Sequence, residues 1–241
     1  RGAAEPHILV RGYCALARQQ WANGDRATAF ATLQQGEAWL TQMEVVAPVG
    51  HAWLAAQQAR LHLRQGNWAA AQRWEQTIHP QGESPLSYLQ QLTRVRLWLA
   101  QHVHESQANV LPGAAELLAR LLATAEIKGW GSHVIEILVL RALVEQAQGQ
   151  HSAAQNTLQR ALGLAEPEGY LLRFVEEGEA MRRLMDACRA QMIEPRQRAY
   201  LERVLSAFAK PTMPATERSV DETAAPSPLP QTKRQNLGEP L

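Results

Sequence analysis

The sequence predicts an all-α chain of about four stacked helix pairs, and three observations carry that prediction. Ala, Leu, Gln, Arg and Glu dominate, and all of them form helices well. Apolar residues recur at i, i+3, i+4 and i+7 through most of the first 208 residues, and few segments read as strands. Turn glycines at Gly24, Gly66 and Gly149 are each followed five residues later by an alanine, at Ala29, Ala71 and Ala154. Those alanines lie 42 and then 83 residues apart, and 83 is close to two periods. Ala114 or Ala115 takes the missing position, behind a turn stretched over 104–111.

In chain order, the first helix is expected over about 6–21, with Leu9, Tyr13, Leu16 and Ala17 as its apolar stripe. Asn23-Gly24-Asp25 breaks it, and a second helix runs to about residue 43 with Ala29, Leu33, Gly36 and Leu40 inward. A third covers 51–64 and turns at Gln65-Gly66-Asn67. The fourth, over 68–78, buries Ala71, Trp74 and Ile78. After a loop over 79–85, the fifth spans 86 to about 102 with Tyr88, Leu92, Val95 and Leu99 on one face. Pro112 suits a first helical position and opens the sixth helix, which packs through Leu117, Leu118, Leu121, Leu122 and Ala125. Gly129-Trp130-Gly131 ends it, and the seventh runs over 132–148. The eighth follows Gly149-Gln150-His151 and carries Leu158, Ala161, Leu162 and Ala165 inward.

Residues 161–185 read ALGLAEPEGYLLRFVEEGEAMRRLM, and the chain is organised around them. Pro167 cannot continue the eighth helix, and Gly169 allows a turn. Tyr170, Leu171, Leu172, Phe174 and Val175 form an apolar knot before the Glu176-Glu177-Gly178 break. A new helix then presents Met181, Leu184, Met185 and Cys188 on one face, with the glutamate pair near its start, where negative charge is favoured. A last helix from Pro195 carries Leu201, Val204, Leu205 and Phe208 and caps the stack. Beyond Lys210 large apolar residues almost vanish, and six of the 13 prolines fall in 211–240. Such a composition cannot bury enough surface to fold, so 6–208 is expected to be the folded domain and 210–241 a disordered linker.

Composition narrows the function. The net charge is +1, which advertises neither a nucleic-acid surface nor an acidic-membrane surface. Cys14 and Cys188 lack metal spacing and read as buried small apolar residues in a reducing compartment. No apolar run approaches the ~18 residues of a membrane span, and no signal peptide opens the chain, so the cytoplasm is the expected compartment. Arg1 in place of Met suggests that the N-terminus is a cut edge.

A turn glycine followed by a small residue at a helix crossing is the physics of tetratricopeptide-type pairs, which stack into a right-handed superhelix. The period near 42 exceeds their usual 34, so the helices are longer than consensus. The pattern Ala-Leu-x-Leu-Ala-x-Pro-Glu-Gly-Tyr-x-x-x-Phe-x-x-Glu-Gly-x-x-Met across 161–181 resembles the segment closing the helical repeat region of MalT-like transcriptional activators. Those are large regulators ending in a LuxR-type helix-turn-helix, and Leu237-Gly238-Glu239-Pro240-Leu241 resembles the lead-in to it. The resemblance implies a regulatory arm without chemistry of its own, an ATPase module upstream and a DNA-binding domain downstream. It also implies control by a small-molecule inducer or a regulatory protein, with self-association possible in the active state. The competing reading is a general protein-interaction scaffold without transcriptional output.

Enzymatic chemistry finds no support. Lys128, Lys210 and Lys233 are the only lysines and none follows a glycine as a phosphate loop requires, so no cofactor is expected within this chain. His102-Val103-His104-Glu105 reads as a polar helix end, because alternate residues diverge on a helix and no further ligand pair supports a metal. No nucleophile elbow or activated cysteine can be assembled. The seven tryptophans sit in or beside helices and are expected to fill gaps between layers.

One pattern suggests a binding site. Aligned by their ends, the first helices of pairs one to three place Arg18, Arg60 and Arg96 at equivalent positions, while the fourth pair has Leu143 there. In a stacked array such positions form a stripe along the concave groove, with guanidinium groups expected ~10 Å or more apart per layer. That stripe would favour an anionic or hydroxyl-rich ligand or an acidic peptide, with Trp21 adding a stacking surface. The bland reading is that the arginines are solvated or pair with nearby Glu or Gln. On the binding reading, truncating Arg60 would weaken binding and leave folding nearly intact.

Overall fold

The computed structural model describes residues 5–42, 48–79, 84–105, 109–189 and 194–209, and the linker expected at 210–241 lies outside them. Among the described residues there are eleven α-helices and no strand. Four pairs follow in order. They are α1 (Glu5–Ala22) with α2 (Arg26–Gln42), α3 (Pro48–Arg64) with α4 (Trp68–Thr77), α5 (Pro85–Glu105) with α6 (Val110–Ile127), and α7 (Gly131–Ala147) with α8 (His151–Ala165). A single-turn α9 (Leu172–Val175), α10 (Gly178–Cys188) and α11 (Pro195–Ala209) complete the chain. No described helix is long and apolar enough to cross a membrane.

One local device reverses the chain repeatedly. At Gly66 (φ 75°) the glycine N–H donates to the Leu63 carbonyl at 3.0 Å, and the Asn67 N–H donates to the His62 carbonyl at 2.9 Å. A left-handed residue closes the helix in this way and satisfies carbonyls that would otherwise lack partners, and glycine adopts that conformation without a Cβ penalty. The same pair of bonds closes α1 at Gly24, α6 at Gly129 and α7 at Gly149. The next helix then starts almost at once. Asn67 accepts from the Ala70 N–H at 3.3 Å, and Asp25 accepts from the Thr28 N–H at 3.2 Å, which caps α4 and α2 respectively.

Short turns force antiparallel pairs, and small residues let them approach. Ala29, Ala71 and Ala154 are completely buried, and so is Ala114, which fills the third pair's position while Ala115 is only half-buried. The first helices contact their successors, α1 with α3, α3 with α5 and α5 with α7, and so form one continuous inner layer. Around α9, α10 and α11 the chain folds back onto α7 and α8. One apolar core runs from Tyr88 to Val204, and a second joins α1, α2 and α3 from Val10 to Leu61. Cys14 and Cys188 are free and buried, and burial pushes each thiol up to about 11.

The α1 stripe differs from the expected one. Tyr13 and Ala17 face inward as expected, but Leu9 and Leu16 are exposed, at 46% and 50%, and Val10 and Cys14 take their place. The cause lies across the contact. A Cβ added at Gly36 would meet the Tyr13 ring at 3.1 Å, and one at Gly50 would meet Val10 at 3.5 Å. Glycines on α2 and α3 leave room on that face for Tyr13 and Val10 of α1. Pro112 is the third residue of α6 and not its first, which is tolerated because first-turn N–H groups have no intrahelical partner. Ile78 lies just past α4. Helix α5 continues three residues beyond the expected end at residue 102, so His102 and His104 belong to its last turn.

The packing makes a direct prediction. Ala154→Leu or Ala71→Leu should lower unfolding free energy by about 1–3 kcal/mol through overpacking at a closed helix crossing. Ala119→Leu, on the exposed face of α6, should stay within about 0.5 kcal/mol of the parent. Urea denaturation of the three variants reads the difference, and equal midpoints for all of them would show that these alanines do not set the crossing distance.

Candidate functional site

The site begins with the closing motif. Helix α8 ends at Ala165, Gly169 turns the chain at φ 68°, and α9 adds one helical turn. Phe174 is fully buried and meets Tyr200 edge-on at 6.4 Å, which fixes α9 against the cap. Gly178 (φ 68°) then redirects the backbone into α10. Glu176 and Glu177 sit between these anchors, at the start of α10 as expected. They do not stay at a solvated helix end, however. Their side chains are 4% and 6% exposed and reach back to the inner layer.

There they meet the arginine stripe. Arg18 of α1 donates through Nε to Glu176 Oε1 at 2.9 Å, and Arg64 of α3 lies 3.2 Å from Glu176 Oε2. Arg96 of α5 donates to Glu177 Oε1 from Nη2 at 2.5 Å and from Nε at 3.0 Å. Behind them stands Glu136 of α7, whose Oε1 accepts from Arg60 at 2.6 Å and from Arg96 at 2.9 Å, while its Oε2 accepts from Arg173 at 2.5 Å. Five guanidinium groups from α1, α3, α5 and α9 thus close on three carboxylates.

Burial decides how much these contacts matter. Exposed ion pairs are worth little, whereas a buried charge deprived of its partner is strongly destabilising. Burial alone would raise the Glu136 carboxyl, yet Arg60, Arg96 and Arg173 hold it well below the usual range. Burial likewise opposes ionisation of Glu176, and Arg64 and Arg18 overcome it and bring that carboxyl down to about 2. Burial and the neighbouring Arg96 charge lower the Arg60 guanidinium to about 10. Arg96 itself is raised, because Glu177 and Glu136 outweigh its desolvation.

The expected stripe, Arg18, Arg60 and Arg96, therefore converges on one set of carboxylates. The guanidinium groups are not held a layer apart: Arg60 and Arg96 share a single oxygen of Glu136, since long side chains lean together across the layer spacing. Arg60 is 4% exposed and its truncation would leave Glu136 short of a partner, so the expected neutrality toward folding does not hold. Sequence reasoning missed Glu136. Its signal was a lone acid inside the apolar run Val134-Ile135-Glu136-Ile137-Leu138, a position that demands a cation.

Beside this network a cleft of about 860 Å³ follows the C-terminal ends of α1, α3, α5 and α7. Trp21, Arg60 and Arg96 line it, whereas Arg18 lies behind Glu176 and outside its walls. Trp68 adds a second indole, stacked on His104 with ring centres 4.0 Å apart. Leu99, Val103 and Leu143 give the inner wall an apolar surface, and Leu172 and Val175 of α9 close the opposite side. Glu176 and Glu177 form the seam between the two walls. None of the seven tryptophans is fully exposed, and only Trp74 is fully buried. Among the described residues no group of three or more metal-ligating side chains converges.

Stacked helix pairs with a C-terminal motif turned back onto the inner layer define a tetratricopeptide-like helical repeat domain. The family model of the MalT-like TPR region matches residues 1–191, and the chain belongs to that family. Comparison with curated proteins gives no match.

Two predictions follow from the network. Glu136→Gln removes the charge that three arginines share, and it should destabilise the protein by about 3–5 kcal/mol in urea unfolding. Arg182→Ala, which breaks exposed pairs with Glu179 and Asp186, should leave the urea midpoint nearly unchanged. The pH dependence has a definite sign. Glu176 is depressed from 4.5 to about 2, so its stabilisation is fully present above pH 4.5 and disappears as pH falls toward 2. The urea midpoint of the parent should fall through that window, and it should fall less steeply in Glu176→Gln. Parallel acid profiles for the two proteins would rule out a role for Glu176.

Proposed function

We propose that this chain is the sensor arm of a LuxR-type transcriptional activator, and that a small-molecule inducer occupies the cleft. One observation supports the reading above the others: Glu176 and Glu177 cross from the closing motif to arginines of α1, α3 and α5. Whatever fills the cleft lies against that seam and against Leu172 and Val175, so it bears on the element that leads to the C-terminal part of the protein. A cleft of this volume suits a small molecule, since ligand pockets run about 300–1,000 Å³.

The physical mechanism is a shift between two populations. A ligand changes an equilibrium only by the difference in its affinity for the two states. With the seam closed, α9 and α10 are tied to the first three pairs. An inducer that binds the open seam more tightly releases them and alters how the arm addresses its neighbours in the full-length protein. In this reading the neighbours are an ATP-binding module upstream and a helix-turn-helix domain downstream, joined through the proline-rich stretch 210–241. In this reading the protein works in the cytoplasm, its active state self-associates, and a regulatory protein is the alternative to the inducer as the arm's partner. DNA is reached only through the downstream domain, and the arm itself catalyses nothing.

A reporter assay with the full-length protein tests this. Glu177→Gln weakens the seam without touching Glu136, and it should raise inducer-independent transcription severalfold. Unchanged basal and induced transcription in a stably folded Glu177→Gln protein would remove the seam as the switch. The coding sequence beyond Leu241 gives a second check. Helix-turn-helix residues are expected there, and unrelated sequence would favour an interaction scaffold.

A further inference from the structure

The charges around the cleft do not balance. Four arginines line it against two glutamates. Arg60 and Arg96 are committed to Glu136 and Glu177, and those partners account for most of the negative charge nearby. Two cations are left with unused capacity. Arg64 lies 3.2 Å from Glu176 Oε2, yet that oxygen, although buried, makes no hydrogen bond, so the guanidinium donors are not spent on it. Arg26 has no ion-pair partner among the described residues. It lies 5.5 Å from the centre of the Trp21 ring at the first position of α2. A helix start is the wrong end for a cation, because the macrodipole favours negative charge there. Asp25, the adjacent acid, is used in capping the helix.

The rest of the cleft fits the body of a ligand more than a second charge. Trp21 and Trp68 line it together with Leu63, Leu99 and Val103, and Val103 is 70% exposed. His102 also lines the cleft, and its buried Nδ1 has no partner among the described residues, an unusual state for a buried polar atom. A ligand with one hydrogen-bonding group would satisfy it. The negative ends of four inner helices answer part of the arginine charge, but each carries only about half an elementary charge. Arg26, at a positive helix end, receives none of that compensation.

We infer that the cleft takes a small organic anion, with its flat apolar body against Trp21, Trp68 and Val103 and its anionic group on Arg26 and Arg64. This rests on the reading of the cleft as the inducer site and moves the anion contacts away from Arg18, Arg60 and Arg96, whose donors already hold carboxylates. They move to Arg26 and to Arg64, whose charge Glu176 answers without taking a hydrogen bond from it. A carboxylate, sulfonate or phosphate would serve, since each accepts the paired donors that a guanidinium presents.

Two dyes of one shape test it on the whole chain. 1-Anilinonaphthalene-8-sulfonate carries the sulfonate, and N-phenyl-1-naphthylamine has the same rings without it. Fluorescence titration should give one site for the sulfonate, bound roughly ten- to hundredfold tighter than the neutral dye, as hydrogen bonds to charged groups imply. Arg26→Gln, at an exposed and unpaired position, and Arg64→Gln should each reduce that preference about tenfold while cooperative melting is retained. Val103→Trp should fill the cleft and block both dyes. Equal affinities, or a preference unchanged in Arg26→Gln and Arg64→Gln, would overturn the anionic class and, if Val103→Trp still blocks both dyes, leave the cleft as a binding site. Binding of both dyes unaffected by Val103→Trp would overturn the site and the class together.

Discussion

A single carboxylate, Glu136, constrains the arrangement of this protein. It sits in the most apolar helix of the inner layer and accepts from Arg60, Arg96 and Arg173, which come from three different elements. Desolvating a carboxylate is expensive, and only converging guanidinium donors of good geometry make it tolerable. Once Glu136 is buried in α7, helices α3 and α5 must present arginines at that level, and α9 must lie close enough to supply a third. Glu176 and Glu177 then answer the remaining charge on Arg18, Arg64 and Arg96. The apolar cores hold each group of helices together, and the ion-pair network sets how the first two pairs, the third and fourth, and the closing motif meet.

This arrangement also shapes the cleft. An open groove of stacked pairs would suit an extended peptide. Here the closing motif fills part of the groove with its own acids, and what remains is a cleft lined by two tryptophans and several apolar residues. The motif that fills the groove also lines the cleft. On the proposed reading, sensing and closure therefore share the same residues, with no need for a longer path through the protein.

Much of the fold was legible because its causes are local. Gly24, Gly66 and Gly149 mark turns through a backbone conformation that glycine adopts freely, and Ala29, Ala71 and Ala154 mark crossings through size alone. The stripe of Arg18, Arg60 and Arg96 was visible as a recurrence at helix ends. Its partners were not, since they lie between 40 and 158 residues away. A glutamate pair before a helix has a sufficient local explanation, and nothing in the local pattern of Glu176 and Glu177 distinguishes a solvated cap from a buried clasp. Half of the α1 stripe failed for a related reason. Beside Tyr13 and Ala17, Leu9 with Leu16 and Val10 with Cys14 fit the helical period equally well, and the facing helices make the choice.

The account stands or falls on contact between the two ends of the described chain, and the pair Arg18–Glu176 measures it over 158 residues of sequence separation. A double-mutant cycle with Arg18→Gln, Glu176→Gln and the combined variant, read by urea unfolding, isolates their coupling from the effect of either change alone. A closed seam predicts a coupling free energy of about 1–3 kcal/mol at neutral pH, with each single variant destabilised. Strictly additive effects would mean that Glu176 does not reach α1 in solution, and the closed arrangement of the arm would have to be abandoned.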